Sequence, residues 1–316
     1  MTPSSATVAV VQAEIQPDVS RALEVTVEGV RQAREAGASL VAFPETWIPG
    51  YPAWLDHCRD VALWDHEPVK RLYRDMADRA VSVPGPISRR LAEIAQEAEV
   101  TLVVGVTERV DGGPGQGTLF NSLLTYGSRG ELLNHHRKLV PTFSERMVWG
   151  PGDGAGLRSV ETQGGRVGGL ICWEHWMPLA RQALHEAGED IHIAAWPWAH
   201  ELLQVASRHY AFEGRCFVLV CGGLMRADDL PAGLERRADT TPHPSPFVLR
   251  GGSAVIGPDG HYLVAPVLDE PRVLVATLDL GRRREEQMTL DVTGHYARGD
   301  VFDFAVRSFT RPNVGR

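Results

Sequence analysis

The sequence lacks any apolar stretch long enough to cross a membrane. No part of its 316 residues approaches the run of about 18 apolar side chains that a spanning helix needs. Its N-terminus, Met-Thr-Pro-Ser-Ser-Ala-Thr, contains neither the basic nor the apolar segment of a secretory signal. We therefore predict a cytoplasmic protein that has no membrane partner.

Positive charge is also scarce. The net charge is -8 and the isoelectric point is about 5.8, and the basic residues are scattered along the chain. Their one cluster, Arg282 to Arg284, is followed at once by Glu285 and Glu286. Nucleic acids bind to basic surfaces through their phosphates, so we expect no nucleic-acid partner.

Cysteines are few, and none lies in a Cys-x-x-Cys pair. The four are Cys58, Cys172, Cys216 and Cys221. A reducing cytoplasm keeps such thiols free. Because Cys216 and Cys221 flank the apolar residues 217–220, we interpret them as packed around a buried strand. Zinc ligation by these two thiols and His209 is the alternative.

Two glycine-rich segments, residues 111–117 and 150–156, suggest a nucleotide-binding loop. The first joins two predicted strands, and the second lacks the Gly-Lys-Ser/Thr ending of a phosphate-binding loop. We therefore predict no nucleotide site in either segment.

Short apolar runs alternate with amphipathic stretches, and this pattern predicts the fold class. Strands are predicted at residues 7–13, 39–43, 101–106, 119–126, 166–171, 191–196 and 217–221. Helices are predicted between several of these strands, with hairpins interleaved. The sequence contains no evident linker, so we expect one layered α/β domain over residues 1–316.

Several local features refine this prediction. The first helix is expected after Asp18 or Ser20, and its predicted buried face comprises Leu23, Val27, Val30 and Ala33. Residues 47–54 are rich in proline, glycine and aromatics and are predicted to wall a pocket. Residues 227–251 are expected to form a long connection. Residues 252–280 are predicted as short strands broken at residues 257–260 and at Pro266.

Cys172 is predicted to lie in the turn between a buried strand and an amphipathic helix that starts near Pro178. A thiol at the positive end of a helix dipole favours its ionised form, which suits a nucleophile. The alternative is a structural cysteine, because free cysteine is among the residues most often buried.

Three charged residues follow a predicted strand or lie in a strand-to-loop transition: Glu45, Lys138 and Glu145. Any one of them alone is most often a solvated or salt-bridged group. Together with Cys172 they form a coherent chemical set. A carboxylate in a partly apolar pocket can take and return the thiol proton, and an ammonium group can stabilise the negative charge that develops on attack.

Three motifs around these residues carry a family resemblance. They are Phe43-Pro-Glu-Thr-Trp-Ile-Pro-Gly-Tyr-Pro52, His136-Arg-Lys-Leu-Val-Pro-Thr142 and Cys172-Trp-Glu-His-Trp-Met-Pro178. Residues 149–154, 251–253 and 294–298 reinforce them. In the order and spacing of these motifs, the sequence resembles the nitrilase branch of the carbon-nitrogen hydrolase superfamily over nearly its whole length.

The resemblance implies an αββα sandwich that pairs into αββααββα dimers, so a homo-oligomer is expected. It implies that Cys172 is the nucleophile, Glu45 the general base and acid, and Lys138 the stabiliser of the tetrahedral intermediate. Glu145 falls at the position of a second carboxylate that positions the lysine and the substrate. The family needs no metal or organic cofactor. Cys-Trp-Glu at residues 172–174 favours nitrile over amide substrates.

Four residues next to the motifs are predicted to bind substrate: Tyr51, Trp173, His136 and Trp196. Aromatic side chains here would line an apolar pocket for an aryl or alkyl nitrile. The alternative is that several of them fill the core or a dimer interface. His136 is also placed to hydrogen-bond within the segment that carries Lys138.

The sequence therefore predicts an enzyme that converts a small organic nitrile to the carboxylic acid and ammonia through a covalent cysteine intermediate. Two alternatives share the fold, an enzyme that hydrolyses cyanide and an amidase. A non-catalytic binding protein is a third, and a zinc hydrolase is a fourth. Burying a thiol, a lysine and two carboxylates together is energetically unfavourable, which favours an enzyme.

Overall fold

The computed structural model describes residues 4–237 and 244–307, and it shows an αββα sandwich. The strands are β1 (Ser5–Gln12), β2 (Leu40–Ala42), β3 (Thr101–Arg109), β4 (Leu119–Tyr126), β5 (Leu132–Arg137), β6 (Val160–Thr162), β7 (Gly165–Ile171), β8 (Ile191–Ala195), β9 (Phe217–Cys221), β10 (Leu224–Arg226), β11 (Phe247–Ile256), β12 (Tyr262–Leu268) and β13 (Arg272–Asp279). The helices are α1 (Val19–Glu35), α2 (Trp54–His57), α3 (Glu67–Asp78), α4 (Pro86–Glu97), α5 (Pro178–Glu186), α6 (Glu201–Gly214) and α7 (Arg282–Gln287).

The strands form two sheets. The first has the order β13-β1-β2-β3-β4-β5, and the second has the order β10-β11-β9-β8-β7-β6 with β12 paired to β11. Parallel pairing joins β1 to β2 and β2 to β3 in the first sheet, and β7 to β8 and β8 to β9 in the second. Strands β2 and β7 belong to different sheets, and the segments that follow them, at Glu45 and Cys172, meet at one edge of the sandwich.

Two hydrophobic clusters hold the layers together. One contains the facing sides of both sheets and continues to the side of the second sheet that α5 and α6 cover. The other lies between the first sheet and its helices, including α1 and α4. The sheets and helices therefore stack as helix, sheet, sheet, helix. None of the described helices is both long enough and apolar enough to cross a membrane.

Helix α1 begins as predicted, and its buried face includes Val30 and Ala33 of the four residues predicted. The Asp18 side chain caps it by accepting a hydrogen bond from the backbone N–H of Arg21 at 2.8 Å. Its buried residues are Ala22, Thr26, Gly29, Val30 and Ala33, while Val27, predicted to be buried, is 38% exposed. A Cβ at Gly29 would lie 2.8 Å from Val11 of β1. The small residues thus let the helix approach the sheet closely, and Val27 points away.

The C-terminal third also differs from the prediction. Strand β11 begins at Phe247, inside the segment expected to be a connection; residues 238–243 of that segment lie outside the described part. Pro266 does not break a strand but lies within β12. Strand β12 pairs only with β11, and a proline is tolerated on such an edge because its missing N–H is not needed there. Helix α3 was not predicted, since Met76 is its only fully buried residue.

Candidate active site

Three segments at one edge of the sandwich bring together Glu45, Lys138, Glu145 and Cys172. Glu45 follows β2, Lys138 follows β5 and Cys172 follows β7. Strand β5 runs in the same direction as β3, because two antiparallel pairings separate them. The turn at Glu45 passes very close to β3, where a Cβ on Gly105 would lie 2.4 Å from the Pro44 carbonyl oxygen. Glycine at this position therefore allows Glu45 to enter the site.

The Lys138 ammonium lies between the two carboxylates. Its Nζ donates to Glu45 Oε1 at 2.9 Å and to Glu145 Oε2 at 2.7 Å, and the three side chains are at most 2% exposed. Burial alone would lower the pKa of Lys138, but the surrounding Cys172, Glu45 and Glu145 raise it above its usual value. The lysine is therefore a fixed positive charge at neutral pH.

Glu45 is held at one oxygen only. Its Oε1 accepts from Asn121 Nδ2 at 2.6 Å as well as from Lys138, while Oε2 has no hydrogen-bond partner among the described residues. Burial raises the pKa of Glu45, Lys138 lowers it and Glu145 raises it again, with a result of about 7. A carboxyl group with such a pKa can both accept and donate a proton at neutral pH.

Glu145 is more firmly fixed. Its carboxylate accepts from Lys138, from the backbone N–H of Thr142 at 2.7 Å and from the Tyr51 hydroxyl at 3.1 Å. The bond to Thr142 closes the first turn of a short 3-10 helix, Phe143–Met147. These three donors fix the direction of the buried carboxylate, so Glu145 is suited to positioning the lysine.

Cys172 opens a 3-10 turn, Cys172–Trp176, that connects β7 to α5. Its φ of 54° lies in the left-handed region that non-glycine residues seldom adopt. The side chain is 4% exposed. Ligand atoms of Cys172, Glu45 and Glu145 all lie within 4.8 Å of one another, so the thiol and both carboxylates meet at one point.

The expectation of an ionised Cys172 is wrong. Burial raises the pKa of the thiol well above its usual value, Glu45 adds to this, and Lys138 only partly offsets it. The turn Cys172–Trp176 separates the thiol from α5, which begins at Pro178, and the backbone N–H of Trp173 only partly offsets the effect of burial. The resting thiol keeps its proton, and a nearby base has to remove it during attack.

A cavity of about 840 Å³ reaches this cluster from the surface. Its walls are mainly apolar and include Tyr51 and Trp173, as predicted, together with Trp176, Trp198 and Leu249. Trp173 is 53% exposed and Tyr51 is 5% exposed. The cavity is much larger than a cyanide ion and matches the size of small-molecule sites.

Two residues predicted to bind substrate lie outside the cavity lining. Trp196 is completely buried, stacks on His175 with 4.7 Å between ring centroids and donates to Ser207 Oγ at 3.2 Å. His136 is also buried, and its Nε2 lies 2.9 Å from Glu174 Oε2. Both predictions rested on closeness to a motif in sequence, and these side chains point into the core rather than into the cavity.

Sequence reasoning also missed two residues that organise the site. Asn121 holds Glu45, and it is a buried polar residue inside strand β4, which was an available signal. Glu174 accepts from the backbone N–H groups of Ile171 at 2.7 Å and Leu139 at 2.8 Å. It therefore ties the segment that carries Cys172 to the segment that carries Lys138.

Few of the described side chains are arranged so that they could share a metal ion. In residues 4–237 and 244–307, the one group of three acidic or thiol ligands close enough to share an ion is Glu45, Glu145 and Cys172. The Lys138 ammonium already bonds both carboxylates there, so the site carries its own cation. Cys216 and Cys221 are completely buried, while the His209 side chain is 57% exposed and faces Glu213, so the predicted core packing fits better than zinc ligation.

Comparisons with known proteins agree with the fold. The family model for carbon-nitrogen hydrolases matches residues 7–286. The chain is 39% identical to "Nitrilase 2" of an unknown prokaryotic organism, covering 90% of this chain and 87% of that protein. It is 37% identical to the aliphatic nitrilase of Sinorhizobium fredii, covering 94% of each. The carbon-nitrogen hydrolase of Helicobacter pylori G27 has the same fold, with a TM-score of 0.70 at 19% identity, covering 90% of this chain and 93% of that chain.

The fold and the family model place the protein in a class. The chain belongs to the carbon-nitrogen hydrolase family. Within that family, its curated relatives place it in the nitrilase branch, as the motif resemblance predicted. Its chemistry is therefore the hydrolysis of carbon–nitrogen bonds.

Proposed function

We propose that this protein is a nitrilase that converts an organic nitrile to the carboxylic acid and ammonia. The observation that carries the proposal is the placement of Glu45. Its oxygen Oε2 has no partner among the described residues, its pKa is about 7, and it shares one buried site with the Cys172 thiol and the Lys138 ammonium. This arrangement supplies a nucleophile, a base and a fixed positive charge.

In the first step, ionised Glu45 takes the thiol proton as Cys172 Sγ bonds to the nitrile carbon. One bond of the nitrile triple bond breaks, and the nitrogen receives that proton from Glu45. The product is a thioimidate. The raised pKa of Cys172 makes this transfer part of the attack, since a resting thiolate is disfavoured by burial.

In the second step, a water that Glu45 deprotonates adds to the thioimidate carbon. Lys138 stabilises the tetrahedral species, the nitrogen collects protons through Glu45, and ammonia leaves to give a thioester. A second water then releases the carboxylic acid and returns the proton to Cys172. The sum is one nitrile and two waters giving one acid and one ammonia. No metal or organic cofactor takes part in this scheme.

The cavity supports an organic nitrile rather than cyanide as the substrate. Its volume of about 840 Å³ and its apolar walls accommodate an alkyl or aryl group. Trp173 is proposed to contact that group. Tyr51 lines the cavity and donates to Glu145, so it is proposed to position Glu145 as well as to face the substrate.

We also propose a homo-oligomer, at least a dimer. One face of α6 exposes large apolar side chains, with Leu202 63%, Val205 50% and Phe212 47% exposed, and Leu179 of the neighbouring α5 is 68% exposed. Burying this face between two copies would remove it from water. Light scattering coupled to gel filtration should give at least twice the monomer mass of 34.7 kDa, and Val205→Glu should reduce it.

Two further parts of the proposal concern the whole chain. A single domain over residues 1–316 is supported by the pairing of β1 with β13, which joins the first and last described strands in one sheet. A cytoplasmic location is supported by the proposed chemistry, because a thiol nucleophile works only when reduced and the cytoplasm keeps it so. Limited proteolysis and detection in cell fractions test these two points.

The experiment that tests the function measures ammonia and carboxylate released from aliphatic, aryl and arylacetonitriles, cyanide and the matching amides. Wild type and Cys172→Ala are assayed in parallel. We expect equal amounts of ammonia and acid from organic nitriles, and no product from the variant. Ammonia from amides alone would show an amidase instead, and release from cyanide alone would show a cyanide-hydrolysing enzyme.

A further inference from the structure

A second buried cluster of titratable side chains touches Cys172 from outside the cavity lining. The Tyr210 hydroxyl donates to Glu189 Oε1, Glu189 Oε2 lies 2.9 Å from His192 Nδ1, and His192 Nε2 lies 3.0 Å from His175 Nε2. His175 Nδ1 lies 2.7 Å from the backbone carbonyl oxygen of Cys172. We call these four side chains the histidine chain. All are at most 2% exposed.

If both imidazoles are neutral, the hydrogen bonds of the histidine chain determine where its protons lie. The carbonyl of Cys172 can only accept, so Nδ1 of His175 carries a proton. A neutral His175 then accepts at Nε2 from the Nε2–H of His192. A neutral His192 must in turn accept at Nδ1, so Glu189 donates from a protonated Oε2. Every bond is satisfied when both imidazoles and the carboxyl group are neutral.

The surroundings favour this neutral form. Burial lowers the pKa of His175 to about 3 and lowers the pKa of His192 well below its usual value. Burial also raises the pKa of Glu189 to about 7. Each pKa shift disfavours a charged group in the interior. The shifts therefore agree with the arrangement in which both imidazoles and the Glu189 carboxyl group are neutral.

The fold provides a fitted compartment for these side chains. Gly168 lies on β7, the strand that leads to Cys172, and a Cβ at this glycine would lie 2.1 Å from Glu189 Oε2. His192 stacks on Tyr210 with 3.7 Å between ring centroids. His175 stacks on Trp196, so the Trp196 ring packs against the histidine chain in the core and not against the cavity.

Cys172 needs support at its backbone. Its φ of 54° is unfavourable for a residue that has a Cβ, and such conformations persist only where the surroundings hold them. The imidazole Nδ1–H of His175 donates to the backbone carbonyl of Cys172 from within the same turn. The histidine chain connects this bond to α6, which carries Tyr210, and to the segment before β8, which carries Glu189.

We propose that His175, His192, Glu189 and Tyr210 are positioning residues that hold the Cys172 turn and thereby aim its Sγ at the substrate, with Glu189 acting as a protonated donor. The proposal rests on the proposed role of Cys172 as nucleophile. None of the four side chains lines the cavity, so they act through the backbone of Cys172 and not on the substrate.

Glu189→Gln and Glu189→Leu test this proposal as a pair. Glutamine keeps a donor for His192 and an acceptor for Tyr210, whereas leucine removes both. We expect Glu189→Leu to lower kcat by about 10- to 100-fold with KM little changed, because a small misplacement of a reacting group has effects of that size. Glu189→Gln should restore kcat to within about threefold of wild type. The matched control is Glu186→Gln, an exposed carboxyl on α5.

Alkylation of Cys172 by iodoacetamide, followed by peptide mass spectrometry on the folded enzyme, gives a readout that needs no nitrile. Its rate should fall in Glu189→Leu and recover in Glu189→Gln. If the wild type hydrolysed no nitrile, the proposed function would be wrong. The alkylation rates of the variants would still test whether the histidine chain positions Cys172. The proposal would be overturned if Glu189→Leu kept the wild-type kcat and the wild-type alkylation rate. It would also be overturned if Glu189→Gln and Glu189→Leu lost activity and alkylation rate to the same extent.

Tyr210→Phe covers the case in which Glu189→Leu does not fold. It keeps the ring that stacks on His192 and removes only the hydroxyl that holds Glu189. We expect a severalfold lower kcat and slower alkylation at unchanged KM. A folded Tyr210→Phe variant with wild-type values for both would contradict the proposal.

Discussion

Two buried clusters meet at Cys172, and they handle charge in opposite ways. On the cavity side, Lys138 holds a permanent positive charge between Glu45 and Glu145. On the other side, the histidine chain joins Glu189 and His192 by neutral hydrogen bonds. In the proposed mechanism, the first cluster surrounds the atoms on which charge develops, and the second contacts Cys172 only at its backbone carbonyl. Burial would then support proton transfer in one cluster and fixed geometry in the other.

Replacing a glutamate by glutamine in each cluster gives the largest contrast. Glu45→Gln cannot accept the thiol proton, so kcat should fall by about 10²–10⁴-fold. Glu189→Gln should stay near wild type, because the amide supplies the same hydrogen bonds. Steady-state kinetics on one nitrile, with melting curves to confirm folding, measure both. Similar losses in the two variants would contradict the assigned difference in charge.

Removing the cation should damage the first cluster alone. Lys138→Met leaves two buried carboxylates without their shared donor, so kcat should fall by about 10²–10³-fold, and stability should fall by about 3–5 kcal/mol. Lys70→Met is the matched control, since Lys70 is 47% exposed and pairs with Asp65 and Glu67 at the surface. Its effect should stay below about 1 kcal/mol. Urea unfolding and kinetics compare the two variants.

The pH profile should report Glu45. The base must be ionised to take the thiol proton, and its pKa is about 7. Below that value kcat/KM should fall by about tenfold for each unit of pH. This limb should be absent from the residual activity of Glu45→Gln. A profile that is flat between about pH 5 and 8 would contradict Glu45 as the base.

The compartment of the histidine chain can be tested by filling it. Gly168→Ala places a methyl group against Glu189, and overpacking of this kind lowers stability by about 1–3 kcal/mol. Gly112→Ala is the matched control, because nothing lies within 4 Å of its added Cβ. Thermal unfolding of the two variants should differ accordingly. Equal stabilities would show that the compartment has spare room.

The smallest effect is expected at the cavity wall. Trp173→Ala removes a partly exposed aromatic surface, so KM for an aryl nitrile should rise by about 3- to 10-fold, while kcat for a small alkyl nitrile should change little. Trp64→Ala is the control, since Trp64 is 98% exposed and lies outside the cavity lining. An unchanged KM for all aryl nitriles would remove Trp173 from the substrate contacts.

The sequence predicted much of this molecule, because its strongest signals are local. Apolar runs located the strands that end at the site, and the motifs marked the four side chains that the structure brings together. Their catalytic roles stay predictions. The second cluster was not predicted, since Glu189, His192 and Tyr210 come from different segments and only His175 lies within a motif.

The remaining errors come from properties that depend on the whole fold. The pKa of Cys172 is set by burial and by charges from three other segments, which strand and helix patterns do not contain. Trp196 and Tyr51 both adjoin motifs, but only the direction of each side chain decides which one meets the cavity. Helical periodicity predicted that Val27 is buried. In the structure, the side of α1 that contains Gly29 packs against the sheet, and Val27 is exposed.

The central claim is that Cys172 forms a covalent bond to the carbon of the nitrile. The most direct test is peptide mass spectrometry of enzyme quenched in acid during turnover of an organic nitrile. We predict that the peptide with Cys172 gains the mass of the thioimidate or the acyl group, and that Cys172→Ala shows neither adduct nor ammonia. Full turnover without an adduct on Cys172, together with activity in the variant, would contradict the account.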